Sequence, residues 1–223
     1  MNAVSLNSVF HFKPYFYNMQ NMLISSFKKA VTITAIAAII IFAAVFALGK
    51  INLFLLLNND LGKPADIFFE YWTYMGDGLI FIPVLILFIL YRKKFIPLLI
   101  AAFIVSTIIT HLFKDLIIPN EPRPTRAITD ITQIHTVNGV ELHTLGSFPS
   151  GHTTTAFTIF LLGCLVIDKK WFLPVGFMYA LLVGYSRIYL AQHFPTDIAG
   201  GMIAAILTLF CSITFQKWWE NKK

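Results

Sequence analysis

A short polar stretch, residues 186–197, separates two long apolar runs and contains Arg187, His193 and Asp197. Charged and titratable groups are costly at a membrane boundary, so they indicate a functional site there. Because proline is favoured at the first position of a helix, Pro195 predicts a helix start that brings Asp197 against one nitrogen of His193. The other nitrogen would then be available as a nucleophile or base, and Arg187 offers a planar fork for phosphate. An interfacial loop with ordinary polar residues is the alternative interpretation.

A second group of polar residues, Pro149-Ser150-Gly151-His152, precedes another apolar run. Ser150 is a suitable N-cap, and Gly151 leaves the start of the helix open to close approach. The first backbone N–H groups of a helix form an anion site. We therefore expect His152, in the first turn, to reach a bound phosphate and to donate a proton. A capped helix with an interfacial histidine is the alternative.

Two cations, Lys114 and Arg123, lie at the end of a third apolar run and in the polar loop that follows it. Each can neutralise phosphate oxygens, although snorkelling to the interface would explain either residue taken singly. Together, three cations and a helix N-terminus predict a site for a phosphate dianion, with one histidine to attack phosphorus and another to protonate the leaving oxygen. The sequence shows no dense cluster of Asp, Glu and His, so we expect neither a metal nor a cofactor.

The composition predicts a polytopic membrane protein with one domain. Of the 223 residues, 57% are hydrophobic, and the mean hydropathy is +0.72, which is beyond the range of ordinary soluble domains. The net charge of +6 would suggest nucleic acid as a partner of a soluble protein. Here the cations gather beside apolar runs, which is the pattern of membrane topology, so we expect no nucleic-acid partner. Cys164 and Cys211 lie in apolar runs and are interpreted as small buried hydrophobes.

The apolar runs predict an all-α membrane bundle of six transmembrane helices. The predicted spans are 30–48, 78–91 extended back to about residue 68, 95–113, 151–167, 171–185 and 195–215. We expect residues 1–29 to form an N-terminal cytoplasmic or interfacial segment, residues 30–217 the six-helix domain, and residues 218–223 a cytoplasmic tail. The outer loop 114–149 would carry part of the site.

The Lys and Arg distribution predicts the orientation. With six spans, the side that holds both termini carries eleven cations, namely Lys13, Lys28, Lys29, Arg92, Lys93, Lys94, Lys169, Lys170, Lys217, Lys222 and Lys223. The other side carries six, namely Lys50, Lys63, Lys114, Arg123, Arg126 and Arg187. This asymmetry predicts cytoplasmic termini, with the 114–149 loop and the 186–197 stretch meeting on the outer face.

The three segments resemble the signature of the type 2 phosphatidic acid phosphatase superfamily. That signature is a lysine followed by Arg-Pro, then Pro-Ser-Gly-His, then Ser-Arg followed by His and Asp. The second motif matches in full at Pro149–His152, and the third matches as Ser186-Arg187-x5-His193-x3-Asp197. The first motif differs, because eight residues rather than the commonest six separate Lys114 from Arg123. We expect the two additional residues to be looped out near Pro119-Asn120.

The resemblance implies a role for each matching residue. His193 would be the nucleophile that forms a phosphohistidine, Asp197 its partner, and His152 the acid for the leaving group. The phosphate would be bound by Lys114, Arg123, Ser150, the Gly151 amide and Arg187. The resemblance also implies a lipid phosphatase of the membrane that needs no metal, with an active site facing the periplasm or exterior of a bacterial inner membrane.

The sequence is compatible with several alternatives. Phosphatidylglycerophosphate, undecaprenyl pyrophosphate, phosphatidic acid and lipid A phosphate are all compatible substrates, and the oligomeric state is not predicted. A non-catalytic phospholipid-binding or transport protein is the second hypothesis, although it would not need the His193–Asp197 pair beside a second histidine. His135 and His143 are expected to be solvated, with contact to a substrate headgroup as the alternative. Residues 75–78 are expected to form a turn, with a place near the site as the alternative.

Overall fold

The computed structural model describes the backbone of residues 7–167 and 169–222, and the side chains from residue 25 onward in those ranges. The described chain is helical, without a named strand. Its α-helices are α1 (Asn7–Leu48), α2 (Lys50–Leu57), α3 (Lys63–Trp72), α4 (Phe81–Tyr91), α5 (Ile96–His111), α6 (Pro124–Ala127), α7 (Gly151–Val166), α8 (Phe172–Tyr189) and α9 (Pro195–Asn221). Short 3₁₀ turns lie at Thr73–Gly76, Gly78–Ile80, Lys93–Phe95 and Ile131–Gln133, and a π-helix lies at Leu112–Ile117.

Helix α7 is the centre of the bundle. Most of its residues from Thr153 to Val166 are buried, and it packs against α1, α5, α8 and α9. A helix that is apolar and buried on all sides belongs in the interior of a bundle. Its threonines bring hydroxyls into this interior, and the Thr154 hydroxyl donates to the Ser150 carbonyl. Helix α7 is therefore enclosed by its neighbours from Thr153 onward, while Gly151 and His152 at its start are half-buried.

The outer surface of the bundle is apolar. Large side chains on α1, α4, α5 and α9 are exposed, and Phe46 on α1 is 94% exposed. Further examples are Ile39, Ile40, Ile82, Leu87, Ile100, Ile104, Leu207 and Phe210. An aqueous protein seldom exposes so much contiguous apolar surface, whereas lipid tails cover it without cost. The protein is an integral membrane protein.

The predicted count of six transmembrane helices is not confirmed. Four helical segments are long and apolar enough to cross a membrane, namely Ser25–Leu48, Lys93–Ile117, Phe172–Tyr189 and Pro195–Asn221, among the residues that the structure describes. The predicted fourth span, α7, has only 16 residues. At 1.5 Å per residue it is about 24 Å long, less than a hydrocarbon core of about 30 Å. Its burial among longer helices removes the need to match the bilayer.

The predicted second span is broken. Lys63–Gly76 and Gly78–Tyr91 count as one span only together, and they meet at a bend of 61°. Asp77 lies at the break, where its carboxylate accepts a hydrogen bond from the Leu79 backbone. A polar residue that caps one helical segment at the end of another interrupts the helix, and the turn predicted at residues 75–78 is part of this bend.

The predicted domain boundaries stay predictions. Helix α1 is continuous from Asn7 to Leu48, so its backbone includes most of the predicted N-terminal segment. Residues 1–6, and side chains before residue 25, lie outside the described part of the chain. The predicted tail, residues 218–223, begins within α9, and Lys223 is likewise outside the description.

The orientation can be tested by accessibility. Asn138 and Lys169 are both exposed, and they lie in connections that the charge asymmetry assigns to opposite faces. In a Cys211→Ala background, a membrane-impermeant thiol reagent applied from outside should modify Asn138→Cys and spare Lys169→Cys. The measurement is labelling of intact cells or spheroplasts, with lysed cells as the control for reactivity. Labelling of Lys169→Cys alone would reverse the orientation.

Candidate active site

The three motif segments converge at the start of α7 and α9. The Ser150 backbone N–H donates to the Asp197 carbonyl at 3.0 Å, which joins the two helix starts directly. The Ser147 hydroxyl donates to Asp197 Oδ2 at 2.5 Å, and Arg123 Nη1 donates to the side chain of Gln192 at 3.1 Å. Residues that are distant in sequence therefore form one buried polar centre.

Both helix starts follow the sequence signals. Ser150 caps α7, because its hydroxyl accepts from the Thr153 backbone N–H at 3.4 Å and from the Thr153 hydroxyl at 3.0 Å. Pro195 is the first residue of α9, and the Asp197 carboxylate turns back to accept the Phe194 backbone N–H at 2.8 Å. These caps satisfy N–H groups that a helix leaves without partners. The turn preceding α9 consequently places His193 beside Asp197.

His193 and Asp197 form a buried pair. His193 Nδ1 lies 3.4 Å from Asp197 Oδ2, and each residue is only 2% exposed. At that separation the contact is not a well-formed hydrogen bond, so Nδ1 is left without a hydrogen-bond partner. Catalytic hydrogen bonds are often long in the absence of substrate and shorten when it binds. With Nδ1 turned towards the carboxylate, Nε2 is the nitrogen on the other side of the ring.

The surroundings of His193 favour its neutral form. Burial lowers the pKa of His193 well below the ordinary value of 6.5, and the positive charges of Arg123, Arg187 and Lys114 lower it further. A hydrogen bond with the Ser147 main chain raises the pKa, but it is the smaller effect. Three cations that influence one imidazole must lie close to it. The same charges that keep His193 neutral would attract an anion.

Most of the donors of Arg123 are engaged with the protein. Its Nε donates to the Leu145 carbonyl at 2.9 Å, Nη1 to the carbonyl and side chain of Gln192, and Nη2 to the Gly146 carbonyl at 3.4 Å. Burial lowers the pKa of Arg123 from its ordinary value, and Asp197 opposes this shift. A guanidinium stays charged in proteins. In this structure Arg123 therefore holds the loop together and contributes charge to the site.

Arg187 is less fully occupied. It is 7% exposed, its Nη1 donates to the Thr73 hydroxyl at 2.6 Å, and its buried Nε has no partner. A buried donor without a partner is costly, so it indicates a position where a ligand can accept a hydrogen bond. Of the two arginines, Arg187 has more free capacity to bind an anion.

His152 and Lys114 line a polar cavity of about 230 Å³ beside the start of α7. The other residues around it are Gly76, Gly78, Ser106, Thr107, Thr110, His111, Gly151, Thr154 and Thr155. Gly76 packs closely on His152, since a Cβ added there would lie 2.9 Å from the His152 carbonyl oxygen. The segment at residues 75–78 thus contributes to the site, in agreement with the alternative interpretation of the sequence.

The unusual spacing between Lys114 and Arg123 is accommodated in two places. Lys114 belongs to the π-helix Leu112–Ile117, whose backbone hydrogen bonds each span one more residue than those of an α-helix. A turn follows at Pro119-Asn120, where Asn120 has a positive φ of 63°. The expected loop near Pro119-Asn120 is present, but the widened helix was not foreseen. Lys114 still reaches the site, because its side chain lies near Gly146.

The sequence did not identify Ser147, Gln192 or Thr73. Ser147 lies two residues before the second motif, and Gln192 directly precedes His193 in the third. This closeness in sequence was the available signal. Thr73 binds Arg187 across 114 positions of sequence, which motif spacing does not record.

His135 and His143 make contacts of their own, and the His135 side chain, which was expected to be solvated, is only 11% exposed. His135 Nε2 is 3.0 Å from Asp66 Oδ1, to which the Tyr189 hydroxyl also donates, and His143 is exposed beside Glu141. Asp60, Asp66 and His135 have ligand atoms within 4.8 Å of one another, a spacing that can hold a cation. The sequence did not reveal this group because its members come from separate segments.

The structure is thus a membrane helix bundle with a buried histidine–aspartate pair, His193 and Asp197, among cations. A family model described as "PAP2 superfamily" matches residues 79–221, more than half of the chain, and the chain belongs to this superfamily. The family predicted from the motifs is thereby confirmed.

Named relatives agree with this membership. The undecaprenyl-diphosphatase BcrC of Bacillus subtilis is 33% identical over 118 residues, which are 52% of this chain but only 53% of that protein. The lipid A 4′-phosphatase of Porphyromonas gingivalis is 31% identical over 70% of this chain and 68% of that one. The crystal structure of Aquifex aeolicus LpxE matches with a TM-score of 0.63 and 32% identity, over 75% of this chain and 94% of that chain. These matches support a phosphoric ester hydrolase.

The lowered pKa of His193 predicts its protonation state in the free protein. An ordinary histidine titrates between about pH 5 and 8. Because burial and three cations disfavour the imidazolium, His193 should stay neutral throughout that range. NMR of the ¹⁵N-histidine-labelled protein in detergent measures this, with the His193 signal assigned by comparison with His193→Gln. Free histidine in the same buffer provides the control. A His193 signal with a midpoint near 6.5 would contradict the electrostatic description of the site.

Proposed function

We propose that the protein is a metal-independent lipid phosphatase that hydrolyses a lipid phosphate monoester or diphosphate through a phosphohistidine. The observation that carries the proposal is the buried His193–Asp197 pair, at 3.4 Å, under the positive charges of Arg123, Arg187 and Lys114. A neutral imidazole is a nucleophile, and cations placed around it stabilise the charge of a transferring phosphoryl group. Membership of the PAP2 superfamily agrees with this chemistry.

In the first half of the reaction, Nε2 of His193 attacks phosphorus while Asp197 accepts the Nδ1 proton in a hydrogen bond. The bond between phosphorus and the leaving oxygen breaks, and His152 gives that oxygen its proton. The products are a phosphohistidine and either the lipid alcohol or, from a diphosphate, the lipid monophosphate. In the second half, His152 accepts a proton from water, whose oxygen attacks phosphorus and releases inorganic phosphate from His193.

The phosphate cradle would combine side chains and a helix end. Arg187 has an unpartnered Nε, Lys114 lines the cavity beside His152, and Gly151 and Ser150 form the start of α7. The dipole of α7 disfavours a cation at His152, but a bound phosphate dianion offsets this and lets His152 act as an acid. Arg123 would add its positive charge and the one guanidinium N–H that it does not donate to the protein.

The substrate class follows from the relatives and the membrane setting. Relatives carry the names undecaprenyl-diphosphatase and lipid A 4′-phosphatase. Undecaprenyl diphosphate and lipid A are therefore the first substrates to test, with phosphatidylglycerophosphate and phosphatidic acid beside them. We place the active site on the outer face of a bacterial inner membrane, with cytoplasmic termini, on the strength of the Lys and Arg asymmetry.

A second function, non-catalytic capture or transport of a phospholipid, would use the same cations. Such a binding or transport protein would not need a carboxylate held against His193, nor would it need His152 beside the cavity. A His193→Ala protein that keeps lipid binding but loses phosphate release would support the enzyme.

The two histidines should differ in their dependence on the leaving group. His193→Ala removes the nucleophile and should abolish phosphate release from every substrate. His152→Ala should slow cleavage of lipid monophosphates by about 10²- to 10⁴-fold, the usual contribution of a general acid. It should be less impaired on p-nitrophenyl phosphate, whose leaving group needs no proton.

The measurement is kcat for both variants on p-nitrophenyl phosphate and on the panel lipid that the wild type cleaves fastest. His143→Ala is the matched control, because the His143 side chain is exposed beside Glu141 and is not buried with the pair. Equal losses of His152→Ala on both substrates, or turnover by His193→Ala, would refute the assigned roles.

Activity should persist in EDTA, and vanadate should inhibit by occupying the phosphate cradle. The reason is that Lys114, Arg123 and Arg187 supply the positive charge that a divalent metal provides elsewhere. Initial rates with EDTA, and after addition of Mg²⁺, measure this.

The cluster of Asp60, Asp66 and His135 requires a control, since it can hold a cation. Asp60→Ala, assayed beside the wild type, removes one of its ligands. An EDTA effect confined to the wild type would be due to this cluster, and the reaction would still be metal-independent. Loss of activity in both proteins with rescue by Mg²⁺ would rule out the proposed mechanism.

A further inference from the structure

Ser147 makes a contact at the centre of the site that no motif includes. It is fully buried, and its hydroxyl donates to Asp197 Oδ2 at 2.5 Å. The same oxygen accepts the Phe194 backbone N–H at 2.8 Å and lies 3.4 Å from His193 Nδ1. Three groups thus converge on one carboxylate oxygen, and only one of them is the catalytic imidazole.

The position of Ser147 is fixed by the pairing of two segments of the outer loop. Its backbone N–H donates to the Glu121 carbonyl at 3.1 Å, and the Arg123 N–H donates to the Thr144 carbonyl at 2.9 Å. Pro122 and Leu145 form the bridge between these bonds. The Lys50 ammonium binds the Glu121 carboxylate at 2.7 Å and anchors the pair to α2.

The buried carboxylate needs donors. A carboxylate removed from water is costly unless hydrogen bonds replace its hydration. Asp197 is 2% exposed, and Ser147 and Phe194 supply two donors to Oδ2. The Phe194 N–H is part of the helix cap and would orient any carboxylate at this position. The Ser147 hydroxyl comes from another segment, so it is the contact that sets the carboxylate relative to the loop and the imidazole.

We propose that Ser147 is a positioning residue for the nucleophile, which holds Asp197 Oδ2 opposite His193 Nδ1. The carboxylate then retains the proton on Nδ1, and Nε2 stays unprotonated and directed towards phosphorus. No bond to substrate is assigned to Ser147, which acts only through Asp197. This inference depends on the proposed phosphohistidine mechanism, because it concerns the nucleophile of that mechanism.

The test is Ser147→Ala, which deletes the hydroxyl without adding volume. Loss of a hydrogen bond to a charged group corresponds to about a ten- to hundredfold effect, and we expect kcat to fall by that factor with little change in KM. The ¹⁵N shifts of His193 should move from one tautomer towards a mixture, which a merely structural role would not cause. Phosphoenzyme formation after rapid mixing with substrate should slow by the same factor as kcat.

Ser212→Ala is the matched control. Ser212 is also fully buried, and its hydroxyl donates to the Thr208 carbonyl within α9, away from the site. It should lose a comparable amount of thermal stability and keep the wild-type kcat and His193 tautomer. Ser147→Cys, whose thiol is larger than the hydroxyl and only a weak donor, provides a second variant should Ser147→Ala fold poorly, and it should also lose kcat.

The outcomes separate the two proposals. Wild-type kcat or an unchanged tautomer in folded Ser147→Ala or Ser147→Cys would overturn the role of Ser147, while an inactive His193→Ala would leave the phosphatase mechanism in place. Turnover by His193→Ala would instead overturn the mechanism itself.

Discussion

The buried carboxylate of Asp197 is the constraint on which the rest of the site depends. Its side chain caps α9 through Phe194, its carbonyl accepts the N–H of Ser150 at the start of α7, and its Oδ2 binds the Ser147 hydroxyl. A carboxylate this deeply buried must be satisfied from several directions. Phe194 directly precedes α9, whereas Ser147 and Ser150 belong to the segment that leads into α7, so these bonds fix the two helix starts relative to one another.

The position of α7 within the bundle determines the environment of the site. Helix α7, with 16 residues, is shorter than the four segments that are long enough to span a membrane, and it packs against all four of them. A helix N-terminus is an anion site wherever it is, but burial lowers the local dielectric and strengthens its field. The cost is a group of polar residues in an apolar interior. The hydrogen bonds of Arg123 to the Leu145 and Gly146 carbonyls offset part of that cost.

The local part of this structure could be predicted from the sequence, and the long-range part could not. Ser150 and Pro195 mark helix starts because capping depends on neighbouring residues. The convergence of the motifs follows from helices that return to the same membrane face. By contrast, the contact of Thr73 with Arg187 depends on the packing of α3 against α8, and the bend at Asp77 depends on how the second span fits around α7. The six-span count was not confirmed for the same reason, since hydropathy does not register whether a short helix is enclosed.

The two arginines show how similar motif residues can have different physical duties. Arg123 spends its donors on main-chain carbonyls and on Gln192, so it ties the loop to the residue before His193. Arg187 keeps a buried Nε without a partner. A buried unpaired donor destabilises the empty protein, and an anion that accepts from it recovers that free energy on binding. The free-energy cost of the empty site therefore falls mainly on Arg187. The hydrogen bonds of Arg123 make the surrounding backbone rigid enough to keep Arg187 in place. Among the described residues, six buried side-chain nitrogen or oxygen atoms lack a hydrogen-bond partner, and two of these, Arg187 Nε and His193 Nδ1, belong to the site.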